Sequence, residues 1–237
     1  MVVRDTDGVE RRAWVTARDE RMCEWLRIVR VTDVQAIRWV LGALNGVDGP
    51  VSTRRAQAWC ARMDLVGLIE RANLGGPGGS IVWGTYEATG LSRPNIYRQT
   101  TRHEVAVASV SARYINASFA WRRDERPAQV GSHQADGVAI GRRTQQLIEV
   151  ELTPKRAPRY LSIFQAYRRR LDAGGADSVT YLCNDSSGRA VRAALRASPA
   201  GRAIADRVSV RDVFTDRGAV RANSAGARLP SSTAHES

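Results

Sequence analysis

Residues 134–155 read QADGVAIGRRTQQLIEVELTPK, and both halves of this stretch follow a period of two. Val138 and Ile140 alternate with small residues, while Ile148, Val150 and Leu152 alternate with Glu149 and Glu151. Alternation of this kind marks β-strands, and Gly141-Arg142-Arg143-Thr144 between them has the length of a tight turn. The stretch is expected to fold as a hairpin. If Gly141 faces Thr144, the register sets Asp136 opposite Glu149, with Cβ atoms about 4.5–5.5 Å apart. Glu151 lies two residues beyond Glu149 and so projects from the same face.

Three carboxylates on one face repel unless they are solvated, protonated or neutralised by a cation. One reading is an exposed acidic strand face paired with arginines. The other is a metal site for Mg or Mn with Asp136, Glu149 and Glu151 as ligands, since Mg²⁺ is usually held by one or two carboxylates, waters and a substrate phosphate. Lys155, the only lysine in the chain, follows close behind. An ammonium placed there could stabilise charge on a scissile phosphate or position a water.

Around the hairpin the pattern is that of an α/β unit spanning roughly 100–214. Thr101 opens a helix running to about Asn116, with Val105, Ala108 and Ala112 on one face; a short strand near Phe119-Ala120-Trp121 and the polar loop RRDERPAQVGSH follow. Pro158 marks the start of a helix whose stripe is Tyr160, Phe164, Tyr167 and Leu171. Val179–Cys183 is a continuous apolar run of the kind found in buried strands. Ser186 or Ser187 is expected to cap a helix from Arg189 to Ala197, and Val208–Val210 a last strand. The tail from 215 to 237, ending ANSAGARLPSSTAHES, has no apolar period and reads as disordered.

Upstream, residues 14–90 show three amphipathic helices in quick succession. Met22, Trp25, Leu26 and Val29 form the first stripe after Thr16; Val34, Ile37, Val40 and Leu41 form the second, with Thr32 as its expected cap. Ser52 caps a third helix with Ala56, Trp59, Cys60 and Met63 on one side and Arg54, Arg55, Gln57 and Arg62 on the other. Leu65–Glu70 leads into a strand, and a turn at Gly75–Gly79 and a returning strand at Ser80–Trp83 complete the segment. Three helices followed by a hairpin is the winged helix-turn-helix arrangement, in which the third helix enters the major groove. Ser52, Thr53, Arg54, Arg55, Gln57 and Arg62 are then the candidate DNA contacts, the first four of them at the helix start, where the dipole also favours phosphate.

Composition agrees with an anionic partner. Lys+Arg total 36 against 24 Asp+Glu, a net charge of +12, and all but Lys155 of those bases are arginine, which suits phosphate forks. Cys23, Cys60 and Cys183 are far apart and read as reduced core cysteines; with only His103, His133 and His235 besides, zinc is not expected. No apolar run is long enough to span a membrane, and the charged start MVVRDTDGVERR lacks the apolar core of a secretory signal, so a cytoplasmic location is expected.

Several of these segments, DLVGLIERANLGGPGGSIVWGTYEATGL, RHEVAVA, HQADGVAI, IEVELTPKRAPRYLSIFQAYRRRL and VTYLCND, together resemble the replication-relaxation family of actinobacterial plasmids and integrative elements. The resemblance implies a winged helix joined to a restriction-endonuclease-like α/β domain with a central mixed sheet. Nucleases of that fold carry a helical carboxylate, an Asp opening one strand, and Glu-x-Lys on the next. Glu104, Asp136 and Glu149 match the first three places as catalytic residues. At the fourth this chain has Glu151 where lysine is expected, and Lys155 would have to reach in from the following helix start. The site is then either a nuclease with a migrated lysine or a fold that has lost catalysis.

Three functions stay open on the sequence. The first is a DNA-binding accessory or regulatory protein of a mobile element, acting in plasmid replication, relaxation or mobilisation, with a relaxase or replication protein of the same element as partner. The second is an active metal-dependent DNA endonuclease or nickase. The third is a winged-helix transcription regulator whose second domain dimerises or senses a ligand. Double-stranded DNA is the partner common to all three, and a homodimer fits any of them.

Overall fold

The chain divides into two units, Met1–Asn116 and Ala117–Ser237. The computed structural model describes residues 14–73, 79–125 and 133–221, together with the backbone of an antiparallel pair, β1 (Val2–Arg4) and β2 (Glu10–Arg12). Most of the expected turn at Gly75–Gly79, the centre of the polar loop before His133, and the stretch 222–237 lie outside the described residues. No helix among the described residues is long and apolar enough to cross a membrane.

In the first unit, α1 (Ala17–Val29), β3 (Thr32–Asp33), α2 (Val34–Leu44) and α3 (Thr53–Leu65) precede the strands β4 (Ile69–Asn73) and β5 (Ser80–Gly84). The three strands form an antiparallel sheet in the order β3-β5-β4. The expected stripes meet in one core: Met22, Trp25, Leu26, Ile37, Val40, Leu41, Trp59 and Met63 are all buried in a single cluster. Each large apolar side chain so buried contributes about 1.5–3 kcal/mol. Thr16 caps α1 through a reciprocal capping box with Asp19, and Ser52 caps α3. The cap of α2 is Asp33, whose carboxylate accepts from Ala36 N–H at 2.8 Å, and not Thr32 as expected. Thr32 instead belongs to β3, a strand too short to leave a period in sequence.

After the four-residue helix α4 (Tyr86–Thr89) comes α5 (Thr101–Asn116), and here the expected division fails. Sequence periodicity placed this helix in the second module. In the structure Ala108 and Ala112 join the first core, and Ser111 accepts a hydrogen bond from Trp25 Nε1 at 2.9 Å. Asn116 Oδ1 accepts from Gly49 N–H, also at 2.9 Å. The helix is buried all around from Ala106 to Ala112, so a single stripe could not say which core it serves.

The second unit runs β6 (Ala120–Arg122), β7 (Gly137–Ile140), β8 (Gln145–Glu151), α6 (Ala157–Asp172), β9 (Ser178–Cys183), α7 (Asp185–Ala197), α8 (Pro199–Ala203) and β10 (Val208–Asp212). Its mixed five-stranded sheet has the order β10-β9-β8-β7-β6. The first three strands pair antiparallel; β9 then runs parallel to β8 after the α6 crossover, and β10 parallel to β9. The chain is therefore mixed α/β with a central mixed sheet, as expected. The β7–β8 register is the expected one: Gly137 pairs with Ile148, and Gly141 N–H donates to Thr144 O at 2.7 Å. Gly137 has a packing reason as well, because a Cβ there would stand 2.1 Å from the Trp121 ring.

Tyr160, Phe164, Tyr167 and Leu171 of α6 are buried against Leu147, Val179, Tyr181 and Cys183 of the sheet. α7 begins earlier than expected, because Asn184 and not a serine is its cap; Ser187 is the reciprocal partner three residues in. The expected disorder from 215 does not hold for 215–221. Phe214 is fully buried and bridges to Val220, and Arg221 ties back to Val213 O and to Asp185. Gly218 takes a φ of +77° to make that turn, a short closure without hydrophobic periodicity.

Candidate functional site

Asp136, Glu149, Glu151 and Lys155, singled out from sequence, gather on the second unit at the end of β8. Parallel pairing sets Glu149 beside Tyr181 and Glu151 beside Cys183, on the face that α6 covers. Glu149 and Glu151 are consequently buried, at 3% and 4% exposure, and are not the solvated strand face of the simpler sequence reading. Asp136 accepts a hydrogen bond from Val150 N–H at 2.8 Å, which holds its carboxylate against β8.

Lys155 reaches the cluster. Its Nζ pairs with Glu151 Oε2, and its backbone N–H donates to the Tyr160 hydroxyl at 3.1 Å, so the chain turns back over the end of β8. The same end is tied from α7: Asn184 Nδ2 donates to Leu152 O at 2.9 Å, and the Ser187 hydroxyl donates to Glu151 O.

Two residues that sequence reasoning missed complete the arrangement. His133 Nε2 shares a hydrogen bond with Glu149 Oε1 at 2.7 Å, and the Tyr167 hydroxyl donates to the same oxygen. Their rings meet edge to face at 5.4 Å. Tyr167 was legible only as a core residue of α6, and His133 sits in a loop where spacing carries no information. A third polar group is left over: the Tyr181 hydroxyl is buried without a hydrogen-bond partner among the described residues.

Electrostatics follow from this crowding. Burial pushes Glu149 above the usual carboxylate range; the His133 hydrogen bond opposes the rise and the charge of Asp136 adds to it. Burial also raises Glu151, against the pull of Lys155 and with the charges of Glu149 and Asp136 adding. Burial and the charges of Glu149 and Glu151 drive the Tyr181 hydroxyl far up. A carboxylate whose folded pKa is raised contributes stability in full below its unfolded pKa and loses it as pH rises through the folded value. Melting temperature should therefore fall as pH rises above about 4.5 through these two groups, and Glu149→Gln should flatten that fall. Thermal melts at a series of pH values measure it; an unchanged profile in the variant would contradict the upward shift of the buried Glu149.

Among the described residues no three His, Cys, Asp or Glu side chains stand in a set that could hold a metal as they are placed. The reason is visible in the contacts: Glu151 is engaged by Lys155, Glu149 by His133 and Tyr167, and Asp136 by the Val150 N–H. Glu104, the fourth expected carboxylate, lies on α5 in the first unit, whereas every other member of the cluster belongs to the second.

The candidate DNA contacts lie on α3. Ser52, Thr53, Arg54, Arg55 and Gln57 are exposed along its first turns, and Arg54 and Arg55 form no ion pair among the described residues. Arg62 is committed elsewhere. Its guanidinium donates to both oxygens of the fully buried Asp19, at 2.7 and 3.0 Å, and to Trp14 O at 2.6 Å. It is a structural clamp between α1 and α3, a correction to its expected place among the DNA contacts. No family model, curated protein or solved structure matches the chain.

Proposed function

We propose that this chain is a double-stranded-DNA-binding protein whose first unit is a winged helix and whose second unit is a restriction-endonuclease-like core. The observation that carries this reading is the exposed, capped start of α3, with two arginines in no ion pair among the described residues, in a unit ordered helix, strand, helix, helix, hairpin. A winged helix presents its third helix to the major groove, and the α3 N-terminus offers guanidiniums, hydroxyls and free N–H groups there. On the resemblance, its role is that of an accessory or regulatory protein of a mobile element, with its nuclease-like centre held closed by its own side chains.

The second reading, an active metal-dependent endonuclease or nickase, is favoured by Lys155. That lysine is displaced in sequence from where such nucleases carry it, yet its ammonium reaches Glu151 of the cluster. The donor set has the hard oxygens that Mg or Mn takes, beside a buried hydroxyl without a partner among the described residues; as placed, each carboxylate is engaged by another group, so holding an ion would require them to rearrange. Asp136, Glu149 and Glu151 would hold the ion, which when bound polarises a phosphate and lowers the pKa of a water. Lys155 would then leave Glu151 for the scissile phosphate, and His133 and Tyr167 would keep Glu149 oriented.

Incubation with supercoiled plasmid, with and without Mg²⁺ or Mn²⁺, tests both readings through separate readouts. The primary reading expects a mobility shift without metal and no nicking with it. Metal-dependent nicking lost in Asp136→Ala selects the endonuclease, and absence of any shift rejects DNA binding.

A further inference from the structure

Beside the exposed edge of α3 the first unit opens a groove of about 690 Å³. Leu41, Val51 and Trp59, each almost fully buried, lie along it with Ala58, and Arg18, Arg55 and Arg62 also line it. No carboxylate is among its described lining residues. The three guanidiniums are not equivalent. Arg62 is balanced by Asp19, but among the described residues Arg18 bonds only the neutral Asn45 amide oxygen, at 3.0 Å, and the Arg55 guanidinium has no partner.

We propose that this groove binds a small organic anion with an apolar body, such as an aryl carboxylate, and that the bound anion competes with DNA for Arg55. Unbalanced guanidiniums repel cations and draw an anion, and a planar carboxylate matches their fork. The apolar lining adds what an inorganic anion or a phosphodiester cannot use, and the volume falls in the range of small-molecule sites. The competition rests on the proposed DNA-binding role; binding of the anion does not.

The experiment uses the full chain and 2-naphthoate as probe, with the neutral 2-naphthalenemethanol beside it, in isothermal titration calorimetry. The expected result is one saturable site for naphthoate, weakened about tenfold or more by Arg55→Ala, the loss of one charge-assisted pair. Ala58→Trp, an exposed position whose larger side chain would fill the groove, should weaken it similarly, and the alcohol should bind poorly. Naphthoate should also raise the apparent Kd for a labelled duplex. No saturable binding, or binding unchanged in both variants, would overturn the site; weakened duplex binding in Ala58→Trp without naphthoate binding would assign the groove to the DNA backbone instead. Naphthoate binding that leaves duplex affinity untouched would refute the competition. Naphthoate binding in a chain that binds no DNA at all would uphold the site and reject the DNA-binding role on which the competition rests.

Discussion

Replacing Asp19 by alanine is expected to cost about 3–5 kcal/mol of folding stability, the loss typical of breaking a buried ion pair from one side. Asp19 is fully buried and accepts from Arg62 at both oxygens, from Trp59 Nε1 at 2.8 Å, and from the Thr16 N–H and hydroxyl at 2.9 and 2.7 Å. Burial alone would raise its pKa, but the bonds from Arg62, Thr16 and Trp59 outweigh it and hold the carboxyl well below the usual range. Such a group contributes stability that is present above its unfolded pKa, about 3.9, and is lost as pH falls through the lower folded value. The destabilisation in Asp19→Ala should therefore persist to pH about 4 and shrink only in stronger acid. Urea titrations of wild type, Asp19→Ala, Arg62→Ala and the double variant check the pair directly. The double variant should lose less than the sum of the singles, because each single leaves a buried partner stranded. Additive losses would mean that Arg62 and Asp19 act independently, and Arg62 would return to the list of DNA contacts.

The Arg54→Ala, Arg55→Ala double variant should separate binding from folding in the opposite sense. Both side chains are exposed and in no ion pair among the described residues, so stability should change by no more than about 0.5 kcal/mol. Each phosphate contact contributes about 0.9 to the slope of log K against log salt, so two lost contacts should flatten it by about 1.8. Across a fourfold salt range that difference amounts to roughly tenfold in affinity. A variant with the wild-type slope would place the DNA interface elsewhere.

How legible the molecule was depended on how local its rules were. The β7–β8 register was readable because a tight turn and a period of two leave one consistent pairing, and the charge of Asp136 acts on Glu149 at its end. The α6 stripe was readable because Tyr160, Phe164, Tyr167 and Leu171 recur at helical spacing on one face. Long-range choices were not readable. Burial on every side hid that α5 serves the first core, and with it that Glu104 belongs to the first unit. Arg62 looked like its neighbours on α3 because Asp19 is 43 residues away in sequence.

The site was legible in its carboxylates and not in what engages them. Alternation set the acidic residues on one face, but burial of that face beneath α6 is a tertiary fact. His133, Tyr167 and the Tyr181 hydroxyl, without a partner among the described residues, become part of the site only through that burial. Asp124 shows the same limit: it sits in a polar loop yet is buried, gripped by Arg170 at 2.6 and 2.7 Å.

The claim that α3 faces DNA is tested most directly by photo-crosslinking. The full chain would carry p-benzoylphenylalanine in place of Gln57, exposed on α3, or in place of Glu24, exposed on α1, and be irradiated with a labelled duplex. A salt-sensitive crosslink from position 57 and none from position 24 is the predicted result. A chain that binds the duplex but crosslinks from position 24 and not from position 57 would contradict it.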